Sequence, residues 1–411
     1  MTAAQAGLWT GLALASDEDL TMIRKFWARS FFVVALFGAA MPVSAAEITS
    51  PAKQAHITDF KTGKVLFSKN ADAPMKPASM AKIMTIFVAF QRIADGQLSM
   101  DDKFTISEKA WKKGGSRTFL EVGKTVSVRE LLHGIIVQSG NDAAIVLAEG
   151  ISGTENAFAD EMNFWAKKIG MKNTNFRNST GWPDPDLTTT AADLNIMTAE
   201  LIRRFPANKY PDLYPIFAKR EYSYNKIRQP NRNPLVYGTA GADGLKTGHT
   251  EESGYGLVGS AERDGQRVIM VLNGMTSMKQ RSAESRRLMD LMFREFKTYR
   301  FFDKGQPVDQ ANVWLGNAAK VDLVLDAPLH LLLSYQERRN LKLSVQWLDP
   351  VPAPIVAGDQ LGTLTVDIKG DSHKLVLRAG QDVTVLGMFD RVSAAVKYLI
   401  FGAPVTPSIV K

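Results

Sequence analysis

The chain contains no cysteine and only five histidines among its 411 residues. The absence of cysteine excludes a disulfide framework, a thiolate metal site and a thiol nucleophile. The histidines stand at positions 56, 133, 249, 330 and 373, and they do not have the spacing of metal ligands. We therefore expect neither a metal site nor a catalytic thiol.

Long runs of one charge are missing as well. Lysine and arginine number 50 against 42 aspartates and glutamates, which gives a formal net charge of +8. A basic surface suits nucleic acid, anionic lipid or an acidic polymer. Because no five basic residues are consecutive and no nucleic-acid motif is present, we expect no nucleic-acid partner.

The N-terminal part has an apolar run that is too short for an ordinary transmembrane helix. Residues 31–40 read "FFVVALFGAA"; they follow a positively charged segment and precede small residues. This pattern predicts an export signal over residues 22–46, cleaved near Ala45, with an uncleaved membrane anchor as the alternative. Residues 1–21 carry three acidic side chains, which do not suit the positive region of a signal, and we interpret them as a misannotated extension.

Apolar periodicity divides the rest of the chain into three parts. Over residues 47–298, short alternating runs at both ends enclose several helical patterns, which predicts an α+β domain with an antiparallel sheet built from both ends of the segment. Residues 299–386 show short alternating runs separated by turn signals, which predicts a small all-β sandwich. Residues 387–402 return to a helical period.

This last helix is predicted to be amphipathic. Its apolar side chains, including Met388, Phe389 and Val392, fall on one face, and its charged side chains fall elsewhere. The segment is too short to span a membrane. Its apolar face could lie in a membrane interface or dock on the β-sandwich, and the periodicity leaves both interpretations open.

The tripeptide Lys-Thr-Gly occurs twice. The first copy, Lys61-Thr62-Gly63, lies between two short alternating runs, and Gly63 suits the turn of a β-hairpin. The second copy, Lys246-Thr247-Gly248, begins a longer alternating run in "GLKTGHT". We expect the first copy to be structural and the second to be functional, because the second follows the candidate nucleophile described next.

A serine with a lysine three residues later suggests a nucleophile and its base. Ser79 and Lys82 stand at a predicted helix start in "PASMAKIMT". Positions i and i+3 share a helix face, so the amine can reach the hydroxyl and accept its proton if the pKa of the lysine is lowered. Three other Ser-x-x-Lys matches do not open an apolar helix. Ser139 and Asn141 lie in a break between two predicted helices, where they could face a cleft.

These motifs, in this order, match the signature of penicillin-binding proteins and class A β-lactamases. Together with "IIVQSGNDA", "NKIRQPNRNPL" and "DGLKTGHT", they make the chain resemble the D-alanyl-D-alanine carboxypeptidases of the low-molecular-mass, membrane-attached penicillin-binding type. The resemblance extends from about residue 48 to the C-terminus. It implies a β-lactamase-like catalytic domain, with helices on both sides of the antiparallel sheet and a helical subdomain.

The resemblance also implies roles for individual residues. Ser79 would be the acylated nucleophile, Lys82 its proton acceptor and Ser139 a proton relay. The implied substrate-binding residues are Asn141, Lys246, Thr247, Gly248, His249 and Arg281. The backbone N–H groups of Ser79 and His249 would form an oxyanion hole. We expect Lys246 to help lower the pKa of Lys82, and Gly248 to let the substrate backbone approach closely.

The implied reaction removes the terminal D-alanine from peptidoglycan stem pentapeptides through an acyl-enzyme on Ser79, with no cofactor. β-Lactams would acylate the same serine. The implied location is the periplasmic face of the bacterial inner membrane, with the terminal helix attached peripherally to the membrane surface.

Three other functions are alternatives to this one. A class A β-lactamase would need a glutamate base between the second and third motifs, but residues 178–195 contain aspartates and no glutamate. A DD-endopeptidase that cuts peptidoglycan cross-links remains an alternative. A catalytically silent cell-wall binding protein would have no need for intact Ser79 and Lys82. Trp182 departs from the simpler loop that the resemblance implies, which predicts a reshaped rim of the cleft.

Overall fold

The structure is a computed structural model that describes residues 48–401. The predicted export signal and the segment before it lie outside the described residues. None of the helices in this part of the chain combines the length and the apolarity that crossing a bilayer requires.

Seventeen strands and nine α-helices are described between residues 48 and 401. The strands are β1 Gln54–Asp59, β2 Val65–Lys69, β3 Lys103–Thr105, β4 Thr125–Ser127, β5 Glu221–Tyr224, β6 Ile227–Pro230, β7 Ala242–Thr250, β8 Gly254–Arg263, β9 Gln266–Met275, β10 Phe296–Phe302, β11 Pro307–Trp314, β12 Lys320–Val324, β13 Leu329–Ser334, β14 Leu341–Trp347, β15 Val351–Pro352, β16 Gln360–Ile368 and β17 Asp371–Ala379. The helices are α1 Lys82–Ala94, α2 Glu108–Lys112, α3 Val128–His133, α4 Asn141–Ser152, α5 Glu155–Lys168, α6 Ala191–Arg204, α7 Met278–Glu295, α8 Tyr335–Asn340 and α9 Met388–Phe401.

A five-stranded antiparallel sheet is the frame of the first domain. Its strand order is β2-β1-β9-β8-β7, so the two N-terminal strands join the three later ones through the pairing of β1 with β9. The predicted sheet, built from both ends of the segment, is therefore confirmed. Strand β7, which carries the second Lys-Thr-Gly, is the last strand of this order and pairs with β8.

Helices pack on both faces of this sheet because successive strand residues point to opposite sides. On β9, Ile269 and Val271 join the larger core, which contains α1, α4 and α6, whereas Val268 and Met270 join the core under α7. Residues 82–90 of α1 are all buried, since this helix contacts α4, α5, α6 and β7. The helix that begins with Lys82 is thus held from several sides.

The first Lys-Thr-Gly is a turn, as predicted. It connects β1 to β2, and Gly63 has a φ of 71°, a left-handed conformation that favours glycine. Thr62 donates from its backbone N–H and its hydroxyl to Asp59 Oδ1, over 2.8 and 2.7 Å. The three turn residues are exposed, and their sequence is explained by local structure.

The second domain consists mainly of a six-stranded sheet, in the order β14-β16-β17-β12-β11-β15, and a two-stranded sheet of β10 and β13. The all-β prediction is confirmed, although α8 was not predicted. A capping box begins α8: Glu337 N–H donates to Ser334 Oγ (3.1 Å), and Ser334 N–H donates to Glu337 Oε2 (2.7 Å). Its Ser-x-x-Glu signal is visible in the sequence. Lys64 of the first domain also binds Glu337, with 2.8 Å between Nζ and Oε2.

The terminal helix α9 forms where the sequence predicted it. Its described apolar side chains are exposed, including Phe389 at 90% and Val392 at 62%. This exposure is evidence against the interpretation in which the helix docks on the β domain.

Candidate active site

Ser79 lies in a tight 3₁₀ turn, Ala78–Ala81, directly before α1. Ala78 has a φ of 47°, a left-handed conformation that costs a residue with a side chain about 1–3 kcal/mol. Packing from two directions holds this turn. A β-carbon on Gly248 of β7 would lie 2.8 Å from the carbonyl oxygen of Pro77. A β-carbon on Gly181 would lie 1.8 Å from the carbonyl oxygen of Ala78, so both glycines pack directly on the turn.

Gly248 therefore has a packing role that the sequence did not predict: the protein's own turn approaches it closely. Gly248 also lines the cleft, so the close approach of a substrate backbone stays a prediction. Gly256 lies opposite Gly248 in the β7–β8 register, and a β-carbon there would lie 2.7 Å from Met80 Cε. Two facing glycines thus let the turn that carries Ser79 pack directly on the sheet.

Lys82 is completely buried and has three hydrogen bonds. Its Nζ is 3.1 Å from Ser79 Oγ, 2.7 Å from Asn141 Oδ1 and 2.6 Å from the carbonyl oxygen of Thr180. The predicted contact between the lysine and the serine one helical turn earlier is therefore present. The other two bonds come from different segments, so the amine is fixed in direction as well as in distance.

Burial lowers the pKa of Lys82 from 10.5 to about 7. After burial, the charge of Arg232 lowers the pKa of Lys82 most, and the charge of Lys113 lowers it further. The charges of Asp142 and Glu155 raise it. A lysine with a pKa near neutrality is unprotonated in a large fraction of molecules at pH 7. It can therefore serve as a proton acceptor.

Lys246 was expected to lower the pKa of Lys82, but Arg232 is the cation with the larger effect. The repulsion between the two lysines acts on Lys246: burial lowers its pKa well below the usual value, and the charge of Lys82 lowers it further. Lys246 is only 2% exposed, and its Nζ donates to the carbonyl oxygen of Thr247 over 3.2 Å.

Ser139 and Asn141 lie at the predicted helix break. A π-helical turn, Gly134–Gln138, follows α3, and Ser139 then has a φ of 67° before α4 begins at Asn141. Ser139 Oγ is buried and has no hydrogen-bond partner within residues 48–401. Both polar atoms of the Asn141 side-chain amide form hydrogen bonds. Oδ1 accepts from Lys82 Nζ, and Nδ2 donates to the Gly114 carbonyl oxygen over 2.8 Å.

Asp142 fixes the loop that faces this break. Its buried carboxylate accepts from the backbone N–H groups of Thr118 (2.8 Å), Phe119 (2.9 Å) and Leu120 (3.2 Å). Three donors on one carboxylate hold this stretch of loop in place. The same loop supplies the Gly114 carbonyl oxygen that binds Asn141.

A cleft of about 650 Å³ opens in front of Ser79. Arg281 is only 5% exposed, and its guanidinium lies 5.8 Å from the centre of the Tyr255 ring. Burial, and then the charge of Arg232, lower the pKa of Arg281 to about 10. The ring of His249 stacks on Tyr255 with 3.9 Å between centroids. The lining residues are Ser79, Ser116, Gln138, Ser139, Pro230, Asn231, Arg232, Thr247, Gly248, His249, Tyr255, Met278 and Arg281.

All the residues selected from the sequence meet at this site. Ser79, Ser139, Thr247, Gly248, His249 and Arg281 line the cleft, whereas Lys82, Asn141 and Lys246 lie behind its wall. Sequence reasoning missed three contributors: Arg232, Tyr255 and the Thr180 carbonyl. The segments "NKIRQPNRNPL" and "ESGYG" were signals for the first two. No side-chain pattern could have revealed a backbone carbonyl as a ligand of Lys82.

The arrangement supplies the parts of a serine acyl-transfer site. It has a hydroxyl beside an amine of near-neutral pKa, a second buried hydroxyl, and two arginines at the cleft. Within residues 48–401, no group of three or more histidine and acidic side chains is placed to hold a metal ion.

Comparison with known proteins agrees with this geometry. Residues 40–276 match the D-alanyl-D-alanine carboxypeptidase family, peptidase family S11, and residues 296–385 match the C-terminal domain of penicillin-binding protein 5. The chain is 36% identical over 326 residues to the D-alanyl-D-alanine carboxypeptidase DacF of Bacillus subtilis, covering 79% of this chain and 84% of that protein.

Two solved structures share the fold, one over most of this chain and the other over a shorter part of it. Penicillin-binding protein 5 of Haemophilus influenzae superposes with a TM-score of 0.64 at 33% identity, over 82% of this chain and 99% of that one. Penicillin-binding protein D2 of Listeria monocytogenes, in its ampicillin-bound form, superposes with a TM-score of 0.54 at 30% identity. The match covers 60% of this chain and 98% of that one. The fold and the site define a serine acyl-transfer enzyme with a separate β domain, and the chain belongs to the D-alanyl-D-alanine carboxypeptidase family.

The pKa of Lys82 predicts how acylation depends on pH. If the neutral amine accepts the proton of Ser79, labelling of Ser79 by a fluorescent penicillin should accelerate as pH rises, with a midpoint near 7. Arg232→Gln removes the cation that most lowers this pKa, so the midpoint should move to higher pH. The matched control is Arg228→Gln, an exposed arginine paired with Glu221 on the preceding hairpin, which should leave the midpoint unchanged. An unchanged midpoint in Arg232→Gln would contradict the electrostatic assignment.

Proposed function

We propose that this chain is a serine-type D-Ala-D-Ala carboxypeptidase that removes the terminal D-alanine from peptidoglycan stem pentapeptides. The observation that carries the proposal is the 3.1 Å contact between Ser79 Oγ and the buried Nζ of Lys82, whose pKa is about 7. Membership of the D-alanyl-D-alanine carboxypeptidase family supports the same substrate class.

In the acylation step, Ser79 Oγ attacks the carbonyl carbon of the penultimate D-alanine. Lys82 Nζ takes the hydroxyl proton, and the bond to the terminal D-alanine breaks as its nitrogen receives a proton. Ser139 would relay this proton; the support is that its buried Oγ has no hydrogen-bond partner within the described chain and that the residue borders the same cleft. Water then attacks the ester, returning Ser79 to its free form.

The cationic side of the cleft is suited to the terminal carboxylate of the substrate. Arg281 and Arg232 both line the cleft, and Arg281 Nε has no hydrogen-bond partner within residues 48–401. A buried guanidinium without a carboxylate partner favours an anionic ligand. Thr247 also lines the cleft and offers a hydroxyl, and the backbone N–H groups of Ser79 and His249 are the proposed oxyanion donors.

The same serine is the proposed target of β-lactams. The ampicillin-bound form of the Listeria relative supports this proposal, since that protein has the same fold at 30% identity. A β-lactam would present its amide carbonyl to Ser79 and remain attached as an ester.

Release of free D-alanine tests the activity. Purified protein should release D-alanine from a pentapeptide that ends in D-Ala-D-Ala, and Ser79→Ala should lower the rate by about 10³-fold or more, because it removes the nucleophile. Ser223→Ala is the matched control: Ser223 also precedes a lysine by three residues, but it lies on the β5–β6 hairpin and outside the cleft.

Two outcomes would contradict the carboxypeptidase assignment. Cleavage of cross-linked muropeptides without release of D-alanine would identify a DD-endopeptidase. Absence of both activities, with cell-wall material still bound, would identify a silent binding protein.

We also propose that the protein is exported and attached to the periplasmic face of the inner membrane through α9. The support is the exposure of the described apolar side chains of α9, including those of Met388 and Phe389. A short helix with such a surface is suited to the membrane interface.

Vesicle binding tests this attachment. The protein should co-sediment with phosphatidylcholine vesicles, and Phe389→Glu combined with Val392→Glu should weaken binding by about tenfold or more, because two apolar side chains no longer enter the interface. Arg391→Gln is the control on another face of the helix. Equal sedimentation of the wild type and the double variant would refute attachment through α9.

A further inference from the structure

Trp182 lies between the two segments that hold Lys82. On one side is Thr180, two residues before Trp182. Its carbonyl oxygen accepts a hydrogen bond from Lys82 Nζ over 2.6 Å. On the other side, Asn141 accepts from Lys82 through Oδ1 (2.7 Å) and is itself anchored to the Gly114 carbonyl oxygen (2.8 Å). The indole ring packs against this second segment at Gly114 and Gly115.

A side chain at Gly115 would crowd both the indole ring and the Asn141 amide. Gly115 has a φ of 77°, and a β-carbon there would lie 3.1 Å from Cζ3 of Trp182 and 2.9 Å from Nδ2 of Asn141. The glycine is therefore enclosed between the indole ring and the amide that binds Lys82. A movement of the ring would remove one contact that holds this segment beside Asn141; the segment is also tied by the Asn141 N–H, which donates to the Ser116 carbonyl oxygen over 2.8 Å.

Lys113 covers the indole from another direction. Its Nζ lies 4.2 Å from the ring centroid, a distance at which a cation is attracted to the ring. The ring is 41% exposed despite these contacts, so burial alone does not account for a tryptophan at this position. Lys113 and Gly115 lie beside the ring with Gly114 between them, so a single side chain borders three consecutive residues.

The base of Trp182 is fixed by its own loop. Asn178 Oδ1 accepts from the backbone N–H groups of Thr180 (3.2 Å) and Trp182 (3.0 Å), and Asn178 Nδ2 donates to the Trp182 carbonyl oxygen (3.0 Å). Gly181 between them packs against Ala78, next to the nucleophile. The ring thus projects from a loop that is anchored to the Ser79 turn.

We propose that Trp182 is a positioning residue: its ring clamps residues 113–115 against Asn141 and thereby holds Lys82 in line with Ser79. This inference rests on the proposed function, in which Lys82 accepts the proton of Ser79. Trp182 touches neither Ser79 nor Lys82, and it acts through Gly115 and Asn141.

Loss of the clamp should also change the charge environment of Lys82. Burial lowers the pKa of Lys82 most, Arg232 and Lys113 lower it further, and Asp142 and Glu155 raise it. Lys246 is a further basic group near the amine, and burial and then the charge of Lys82 lower its own pKa. Without the ring, Lys113 is free to turn into solvent and the Gly114–Gly115 segment can admit water. Both changes raise the pKa of Lys82.

The test compares Trp182→Ala with the conservative Trp182→Phe, using the rate of Ser79 labelling by fluorescent penicillin across a pH series. Trp182→Ala should slow labelling at pH 7 by about tenfold, as expected for a displaced catalytic group, and should move the midpoint to higher pH. Trp182→Phe keeps a ring in the clamp and should retain most of the rate and the midpoint. Thermal unfolding of each variant separates this effect from a loss of folded protein.

A second pair of variants applies if Trp182→Ala does not fold. Lys113→Gln should move the midpoint to higher pH, whereas Lys112→Gln should not, because Lys112 is exposed and pairs with Glu108.

Three outcomes overturn the clamp. The first is a wild-type rate and midpoint in Trp182→Ala. The second is a slower rate in that variant with an unchanged midpoint. The third is identical midpoints for Lys113→Gln and Lys112→Gln. A wild-type protein that penicillin does not label would overturn the proposed function and the clamp together.

Discussion

The interaction on which the site depends is the burial of one lysine amine among three hydrogen-bond partners. Lys82 contacts the Ser79 hydroxyl, the Asn141 amide and the Thr180 carbonyl, and it has no exposure to solvent. Burial penalises the charged form, which makes the amine a base near neutral pH. The three hydrogen bonds of the amine replace those that it would form with water. They also fix the direction in which its lone pair or its proton points. Without the burial or without the hydrogen bonds, Lys82 would be an ordinary lysine beside an unreactive serine.

Much of the surrounding structure is explained by the need to bring these three partners together. The Ser79 turn packs directly on the sheet at Gly248 and against the next loop at Gly181, where side chains would not fit. Ala78 and Ser139 adopt left-handed conformations on either side of the site. Such backbone positions are unfavourable in isolation, and they persist because the surrounding packing over-determines them. The packing of the two hydrophobic cores thus stabilises the chain enough to keep these strained turns at the active site.

Local patterns were sufficient to predict much of the fold and most of the site. The hairpin around Gly63, the helix break at Ser139 and the sheet built from both chain ends follow from periodicity and turn chemistry, and the structure confirms them. The capping box of α8 was overlooked although its signal is local. Arg232 and the Thr180 carbonyl could not be assigned, because their effect on Lys82 arises from tertiary contacts between residues about 100 or more positions apart. The packing of Gly248 on the Ser79 turn could not be predicted for the same reason, because its neighbour is a distant turn of the same chain.

The most direct test of this account is the pKa of Lys82 itself. Carbon-13 NMR of protein labelled at lysine Cε would follow each lysine through a pH titration, and the resonance lost in Lys82→Arg identifies Lys82. If Lys82 is the base, this resonance should titrate near pH 7, with the protein folded throughout. Titration of the Lys82 resonance in the usual range of lysine, near 10.4, would contradict the account, because the amine would then be charged at neutral pH and unable to accept the serine proton.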